Sequence, residues 1–231
     1  STLANVVAGL GKADSGAVCM EGSGGRIDLM AKGSRKRQKE YGQKRQMIFQ
    51  NPRLSFNPAM IIGKGLEEAL RYYTKLSKEE RKKRALENLE LVGLKKEYYD
   101  RHAFELSGGE CQRAAIARAL MIEPEFLICD EITSALDVSV QAQIMDLFME
   151  IQKKKKMTCL FISHDLALVS NICDRIAVMY DGKIVESGVT DQIIHHSSSD
   201  YTKKLLQSVF LADQETMTRY ERKKREKQKV F

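Results

Sequence analysis

Residues 106–120 read LSGGECQRAAIARAL, and this stretch predicts a helix whose first turn carries almost no side chains. Ser107 precedes two glycines, and small, apolar and arginine residues follow at helical spacing. The bare N–H groups and the positive end of the helix dipole suit an anion such as a phosphate. No lysine follows the glycines, so the stretch is not itself the phosphate-binding loop G-x-x-x-x-G-K-[ST]. Other parts of the chain must supply the rest of such a site.

The composition is that of a folded protein of one domain, or of one domain with a small appendage. A chain of 231 residues is long enough for a sizeable core. No run of about 18 apolar residues occurs and no signal peptide pattern is present, so no membrane-spanning helix is predicted. The 5 cysteines are scattered without a C-x-x-C pair. This argues against a metal site or a disulfide framework and favours a reducing compartment.

The net charge of +7 comes from clustered basic runs. We interpret these runs as solvated helix faces and a frayed tail, with attraction to an anionic membrane surface or to nucleic acid as the alternatives. Few aromatic residues lie among them, which argues against a stacking surface for single strands. The runs are KGSRKRQKEYGQKR (32–45), SKEERKKR (77–84), KKKK (153–156) and RYERKKREKQK (219–229).

Short apolar runs that alternate with helical patterns predict an α/β fold. Strands in this arrangement form a parallel sheet with helices on both faces. The predicted strands are RQMIFQ (45–50), FLICD (126–130) and TCLFIS (158–163), and the predicted helices between and after them include residues 139–154 and 166–173.

The remaining segments have simpler patterns. Residues 1–10 predict a helix that Gly9 and Gly11 close, and EGSGGRIDLMAKGS (21–34) predicts an exposed, turn-rich segment. Residues 62–105 predict a mostly helical insert, in which Ser77 and Glu80 have the spacing of a capping box. RIAVMYDGKIVESG (175–188) predicts a hairpin around Asp181-Gly182, followed by short helices at about 190–196 and 200–209.

Two acids directly follow an apolar strand at FLICDE (126–131). Ligands bind at the carboxyl ends of parallel strands, where Asp130 would reach a Mg²⁺ ion, usually through water. Glu131 would orient or deprotonate an attacking water. Taken alone, the same residues also fit a strand that happens to end in two acids at a loop.

Further polar residues stand at the ends of the other strands and helices. His164 in FISHD can hydrogen-bond a phosphate oxygen, or it is an ordinary surface histidine; a Ser-His-Asp triad is excluded because neighbouring residues on a strand point to opposite faces. Gln50 can coordinate Mg²⁺ or the attacking water. Asp137 is placed to cap the following helix or to reach across an interface. Ser1 and Thr2 match the end of G-x-x-x-x-G-K-[ST], which would make Ser1 the Mg²⁺-binding hydroxyl.

In chain order these motifs resemble the ATP-binding subunit of ABC transporters, and the resemblance extends to about residue 210. It implies a P-loop NTPase fold with a mostly parallel central sheet and a helical subdomain insert, and it implies ATP and Mg²⁺ as cofactors. The motifs that carry it are STL (1–3), FQNP (49–52), LSGGECQR (106–113), FLICDE (126–131), SALD (134–137) and FISHD (161–165).

The resemblance also implies a role for each candidate residue. The catalytic residues that it implies are Glu131 and His164. Two such domains would clamp ATP head to tail, so that the Ser-Gly-Gly corner of one completes the pocket of the other. The nucleotide-binding residues implied are Ser1, Thr2, Gln50, Ser107, Gly108, Gly109, Gln112, Asp130 and Asp137, and those implied to contact Mg²⁺ are Ser1, Gln50 and Asp130.

A narrower resemblance points to importers of oligopeptides, dipeptides or nickel. It rests on FQNPRLSFNP (49–58), on GGECQR (108–113) and on SSSDYTKKLLQSV (197–209). It implies a second ATPase subunit, two permease subunits, an indirect extracytoplasmic binding protein and no nucleic acid, at the cytoplasmic face of the membrane. Leu54 and Phe56 are exposed apolar candidates for contact with the permease, with internal packing of both side chains as the alternative. No cysteine follows position 173, so no iron–sulfur centre is predicted.

Most of the phosphate-binding loop is absent from this sequence, which we interpret as a truncated record of a working ATPase. The fragment by itself is expected to bind ATP poorly and to hydrolyse little. A non-transport ABC ATPase of DNA repair or of the ribosome, and a nucleotide-sensing interaction protein, are the alternative functions. The predicted parts are a partial core (1–61), the helical subdomain (62–105), the signature helix and remaining core (106–188), a helical extension (189–216) and a basic tail (217–231).

Overall fold

The structure is a computed structural model that describes residues 1–22, 25–28, 35–134 and 136–210. The chain divides into two compact units, Ser1–Ile162 and Ser163–Phe231. The part boundaries proposed from the sequence stay a prediction, and the basic tail lies outside the described residues. Within the described ranges, no helix is long and apolar enough to cross a bilayer.

The first unit combines a parallel sheet with a group of helices. Short 3-10 turns lie at Pro52–Ser55, Lys96–Asp100 and Ala103–Glu105. The helices and strands in chain order are α1 (Thr2–Ala8), β1 (Cys19–Gly22), β2 (Gly25–Asp28), α2 (Arg35–Lys44), β3 (Arg45–Ile48), α3 (Ile62–Tyr73), α4 (Lys78–Leu91), α5 (Gly108–Leu120), β4 (Phe126–Asp130), α6 (Val138–Lys155) and β5 (Thr158–Ile162).

The sheet of the first unit has the order β3-β4-β5, and both pairs are parallel. The central strand β4 is buried from Leu127 to Asp130. A parallel strand that is buried on both faces of its sheet can carry an uninterrupted apolar run, as FLIC does. The predicted parallel sheet is confirmed, and all three strands place their carboxyl ends at one edge.

Helix α5, which begins in the LSGG stretch, lies in the core of this unit. It contacts α3, α4, α6, β3 and the Pro52–Ser55 turn. Because elements surround it, most of its residues are buried, and the small side chains of Ala114, Ala115 and Ala117 let those elements approach closely.

The helical insert follows its prediction, and the turn-rich segment does not. Ser77 and Glu80 form the capping box of α4: the Glu80 N–H donates to Ser77 Oγ at 3.2 Å, and the Ser77 N–H donates to Glu80 Oε2 at 2.7 Å. The prediction for residues 21–34 is wrong in part, because β1 and β2 pair there as an antiparallel ribbon, with Cys19 opposite Asp28. Strands of four residues with glycines in and between them are too short to show an alternating pattern.

The second unit is built around a hairpin. Asp181 and Gly182 adopt φ of 47° and 73°, the left-handed backbone of a tight hairpin turn, as predicted. The hairpin packs on an apolar core that includes Leu166, Ile176 and Ile193. The elements are α7 (Leu166–Ile172), β6 (Arg175–Tyr180), β7 (Lys183–Val189), α8 (Thr190–His196) and α9 (Asp200–Phe210).

Candidate functional site

A first group of predicted residues meets at the carboxyl ends of β3 and β4. Gln50 lies two residues beyond β3, Asp130 is the last residue of β4, and Glu131 follows it. The side-chain amide of Gln50 donates a hydrogen bond to Glu131 Oε2 at 2.6 Å. The structure therefore brings together residues from two motifs that are distant in the sequence.

Asp130 presents a buried carboxylate oxygen to this edge. The residue is 3% exposed, and its Oδ1 atom accepts no hydrogen bond. The backbone nitrogen of Ser1 lies 3.8 Å from the same atom. A buried anionic oxygen without a donor is costly, and a cation at that position offsets the cost. The chemistry of the residue thus suits a hard cation such as Mg²⁺.

Glu131 has a constrained backbone. Its φ is 49°, a left-handed conformation that costs a non-glycine residue about 1–3 kcal/mol. Its N–H donates to the Ile162 carbonyl at 2.9 Å, and its own carbonyl accepts from the Ser134 N–H at 3.2 Å. These bonds to β5 and to the following turn hold the conformation, and they direct the Glu131 side chain toward Gln50.

The Ser-Gly-Gly corner at the start of α5 forms a second group. Ser107 and Gly108 are exposed and Gly109 is half-buried, so the corner lies at the surface of its own unit. A Cβ atom on Gly109 would lie 2.6 Å from Val140 Cγ1, and one on Gly108 would lie 3.3 Å from Leu136 Cδ2. Packing within the chain therefore requires glycine at 109, a reason that the sequence did not show.

Asp137 lies in the same neighbourhood and caps α6. Its Oδ1 atom accepts from the Ser139 hydroxyl at 2.7 Å and from the Val140 N–H at 3.0 Å. These bonds lower the pKa of Asp137 below its ordinary value. Of the two roles open to Asp137, capping is the one seen within the chain.

His164 belongs to the second unit, where its side chain is exposed. The next residue, Asp165, accepts a hydrogen bond from the Leu168 N–H at 2.9 Å and so caps α7. Ser163 Oγ accepts from the Asp165 N–H at 3.0 Å. These contacts are structural, which agrees with the exclusion of a Ser-His-Asp triad.

Two candidates occupy positions that differ from the predictions. Gln112 is 1% exposed within α5, so its side chain cannot touch a nucleotide and it is left out of the site. Phe56 is 6% exposed and packs against Gly65 beneath the Arg118 guanidinium, so its prediction as a surface contact is wrong. Leu54 is 83% exposed, as predicted. Thr2 is an exposed residue in the first turn of α1.

Several contacts around the corner were not foreseen. Arg53 Nη2 donates to the Leu106 carbonyl at 3.0 Å, which joins the segment after Gln50 to the start of α5. The Tyr98 hydroxyl donates to Glu110, which also forms a capping box with Ser107. The Ser-x-x-Glu spacing was a readable signal for that capping box, whereas the sequence carries no local sign of the Tyr98 and Arg53 contacts.

Comparison with known proteins agrees with this geometry. Residues 1–134 match the ABC transporter family, and the chain belongs to that family. Among its relatives is the oligopeptide transport ATP-binding protein OppF of Bacillus subtilis (strain 168), 45% identical over 215 residues that make up 92% of this chain and 69% of OppF. The dipeptide transport ATP-binding protein DppF of Escherichia coli (strain K12) is 49% identical over 73% of this chain and 51% of DppF. The chain thus spans between about half and about two thirds of these relatives.

Solved structures show the same fold. The dimeric structure of MJ0796, a bacterial ABC transporter cassette, matches with a TM-score of 0.71 and 27% identity over 82% of this chain and 79% of that chain. A dimeric post-hydrolysis state of MJ0796 bound to ADP and Pi matches with a TM-score of 0.70. The predicted α/β fold of the ABC ATPase type is confirmed, as is the resemblance to the peptide-transport branch.

Proposed function

We propose that this chain is the ATP-hydrolysing subunit of an ABC importer that takes up peptides. The observation that carries the proposal is the pairing of Gln50 with Glu131 next to the donor-free oxygen of Asp130. The names of the relatives, oligopeptide and dipeptide transport ATP-binding proteins, favour peptide uptake over the repair and ribosome alternatives.

In this proposal Mg²⁺ accompanies ATP at the edge of the sheet. Asp130 Oδ1, the Ser1 hydroxyl and the Gln50 carbonyl oxygen would hold it, and Thr2 would lie beside the phosphates. No group of three or more His, Cys, Asp or Glu side chains among the described residues is arranged around a metal position. Mg²⁺ suits such a sparse set, because it uses one or two carboxylates together with phosphate oxygens and water. Bound there, it would neutralise charge on the phosphates.

Glu131 would act on the attacking water. Its carboxylate accepts or orients the proton of the water, while the Gln50 amide holds the other side of the carboxylate. His164 would donate a hydrogen bond to the γ-phosphate. A positioned base of this kind contributes about 10²–10⁴-fold to a rate.

A second ATP-binding subunit would complete the site. The exposed Ser107–Gly108 corner would meet the γ-phosphate held by that subunit, with Gly109 and Asp137 beside it. The dimers formed by MJ0796 support this arrangement. Leu54 would contact one of two permease subunits, which would hold the chain at the cytoplasmic face of the membrane and receive peptide from an extracytoplasmic binding protein.

The test uses the full-length subunit with a complete phosphate-binding loop, assembled with a partner ATP-binding subunit and the permeases. We expect Glu131→Gln to lower ATP hydrolysis and peptide uptake about 10²–10⁴-fold while ATP still drives association of the subunits. Glu125→Gln is the matched control, because Glu125 lies just before β4, at the opposite end of that strand, and pairs with Lys44 at 3.1 Å. Hydrolysis retained by the Glu131 variant contradicts the proposal, and uptake of nickel without peptide contradicts the choice of cargo.

A further inference from the structure

Glu110 lies in the first turn of α5 and faces the hydroxyl of Ser107. Its Oε2 atom accepts from the Ser107 hydroxyl and from the Ser107 N–H, both at 2.8 Å, and its Oε1 atom accepts from the Tyr98 hydroxyl. We infer that Glu110 sets the affinity of the shared nucleotide site, because its carboxylate accepts the hydrogen bond that the Ser107 hydroxyl would otherwise donate to a phosphate. This inference rests on the proposed function.

The direction of the hydrogen bond follows from the chemistry of the side chains. An ionised carboxylate only accepts hydrogen bonds, so Ser107 must donate its single hydroxyl proton to Glu110. The Ser107 oxygen also accepts from the Glu110 N–H at 3.4 Å. The hydroxyl therefore has no proton left for a phosphate until its bond to Glu110 breaks.

A glutamine at position 110 would reverse this bond. The Tyr98 hydroxyl would hold the carbonyl oxygen of the amide, and the amide nitrogen would then face Ser107 and donate to it. The hydroxyl proton of Ser107 would be free to donate to a phosphate. Tyr98 is well placed to orient the side chain, because it lies in the Lys96–Asp100 turn with the Arg101 guanidinium 4.7 Å above its ring.

The negative charge of Glu110 also weakens phosphate binding at this corner. The hydrogen bond from Tyr98, followed by those from Ser107, holds the pKa of Glu110 below its ordinary value, so the carboxylate is ionised at neutral pH. A negative charge in the first turn stabilises the free helix but repels a phosphate that approaches the same N–H groups. Glu110 thus stabilises the corner in the free subunit at the expense of nucleotide binding.

The experiment combines the chain with a partner subunit that carries a complete phosphate-binding loop, and it follows their association as MgATP is added. We expect Glu110→Gln to lower the MgATP concentration for half-maximal association roughly tenfold. Glu105→Gln is the matched control, since Glu105 forms a capping box with His102 in the same segment without touching Ser107, and it should stay within about twofold of wild type.

A double-mutant cycle distinguishes release of the Ser107 hydroxyl from the loss of charge repulsion between Glu110 and the phosphate. In the Ser107→Ala background the gain from Glu110→Gln should fall to about threefold or less, because no hydroxyl proton remains to be released. An equal gain in both backgrounds overturns the inference. Thermal unfolding of each variant checks that the cap is kept, as glutamine also serves in a capping box.

Tyr98→Phe should not give the gain in association expected of Glu110→Gln. The Glu110 carboxylate keeps its charge but loses one hydrogen-bond donor, so its hydrogen bond from Ser107 strengthens. Half-maximal association should therefore require the same or a higher MgATP concentration. A merely structural role for the cluster would weaken association in both the Tyr98 and the Glu110 variants. If wild type does not associate with MgATP at all, the proposed function fails; if wild type associates and Ser107→Ala weakens it while Glu110→Gln changes nothing, only this inference fails.

Discussion

The side-chain amide of Gln50 donates a 2.6 Å hydrogen bond to the Glu131 carboxylate across 81 positions of sequence. The register of the sheet explains the contact. Ile48 on β3 pairs with Cys129 on β4, and each candidate residue lies two positions further along the chain, just beyond the end of its strand. Parallel pairing therefore delivers both side chains to the same edge at the same height.

Gln50→Leu should lower the turnover number about tenfold and leave the KM for ATP nearly unchanged. The substitution removes a hydrogen bond to a charged group, worth about 1.5–3 kcal/mol, from the proposed base without removing the base itself. Steady-state hydrolysis by the assembled subunits measures both constants. Gln46→Leu is the control, because Gln46 donates only to the Gly42 and Arg45 carbonyls and should affect stability rather than turnover. Equal turnover in the Gln50 variant and wild type would show that the contact has no role.

Phe56→Asp should unfold the first unit rather than interrupt a docking surface. Truncating a buried phenylalanine costs about 3–5 kcal/mol, and a buried charge adds to that cost. Leu54→Asp should leave the unfolding midpoint unchanged but reduce peptide uptake, because Leu54 is 83% exposed. Urea unfolding and uptake assays distinguish the two. A Phe56 variant as stable as wild type is incompatible with the packing described here.

Gly109→Ala should destabilise the chain by about 1–3 kcal/mol, because the new methyl group would overlap Val140. Val140→Ala in the same chain should restore most of that loss by making room. Denaturant titrations of the two single variants and the double variant measure the coupling. No recovery in the double variant would mean that Val140 is not the obstacle.

Acid should weaken the second unit through Glu186. Burial acts to raise the pKa of this carboxyl, but hydrogen bonds from the Ser198 N–H and the Ser197 hydroxyl, both 2.7 Å, and from further donors outweigh burial and lower the pKa from 4.5 to about 2. A depressed folded pKa means that the unfolded chain binds the proton first. The contribution of Glu186 is therefore complete above pH 4.5 and is lost as the pH falls toward about 2.

Glu186→Gln tests this pH dependence. Thermal unfolding across that pH range should show a flatter loss of stability in the variant than in wild type. Asp200→Asn is the control, since the Asp200 side chain is 92% exposed and its pair with Lys203 is 3.5 Å long. Parallel acid profiles for wild type and the Glu186 variant would exclude the carboxylate as the cause.

Local patterns in the sequence were sufficient for much of the fold and site. Apolar β4 ending in two acids predicts both a buried strand and the place where Asp130 and Glu131 meet a ligand. The hairpin turn at Asp181-Gly182 and the Ser77–Glu80 cap depend on residues close in the chain, so the sequence shows them directly. The short ribbon of β1 and β2 leaves no such pattern and was missed.

By itself the sequence determined the order of the motifs, the alternation of strands and helices, and the chemistry available at each strand end, because these depend on neighbouring residues. Only the tertiary structure decided which side chains are buried and which acceptor each hydroxyl donates to. It buries Phe56 and Gln112 while leaving Leu54 exposed, and it directs Tyr98 and Ser107 to the same carboxylate of Glu110. Burial and hydrogen-bond direction depend on partners brought together from distant parts of the chain, and a local pattern carries no record of them.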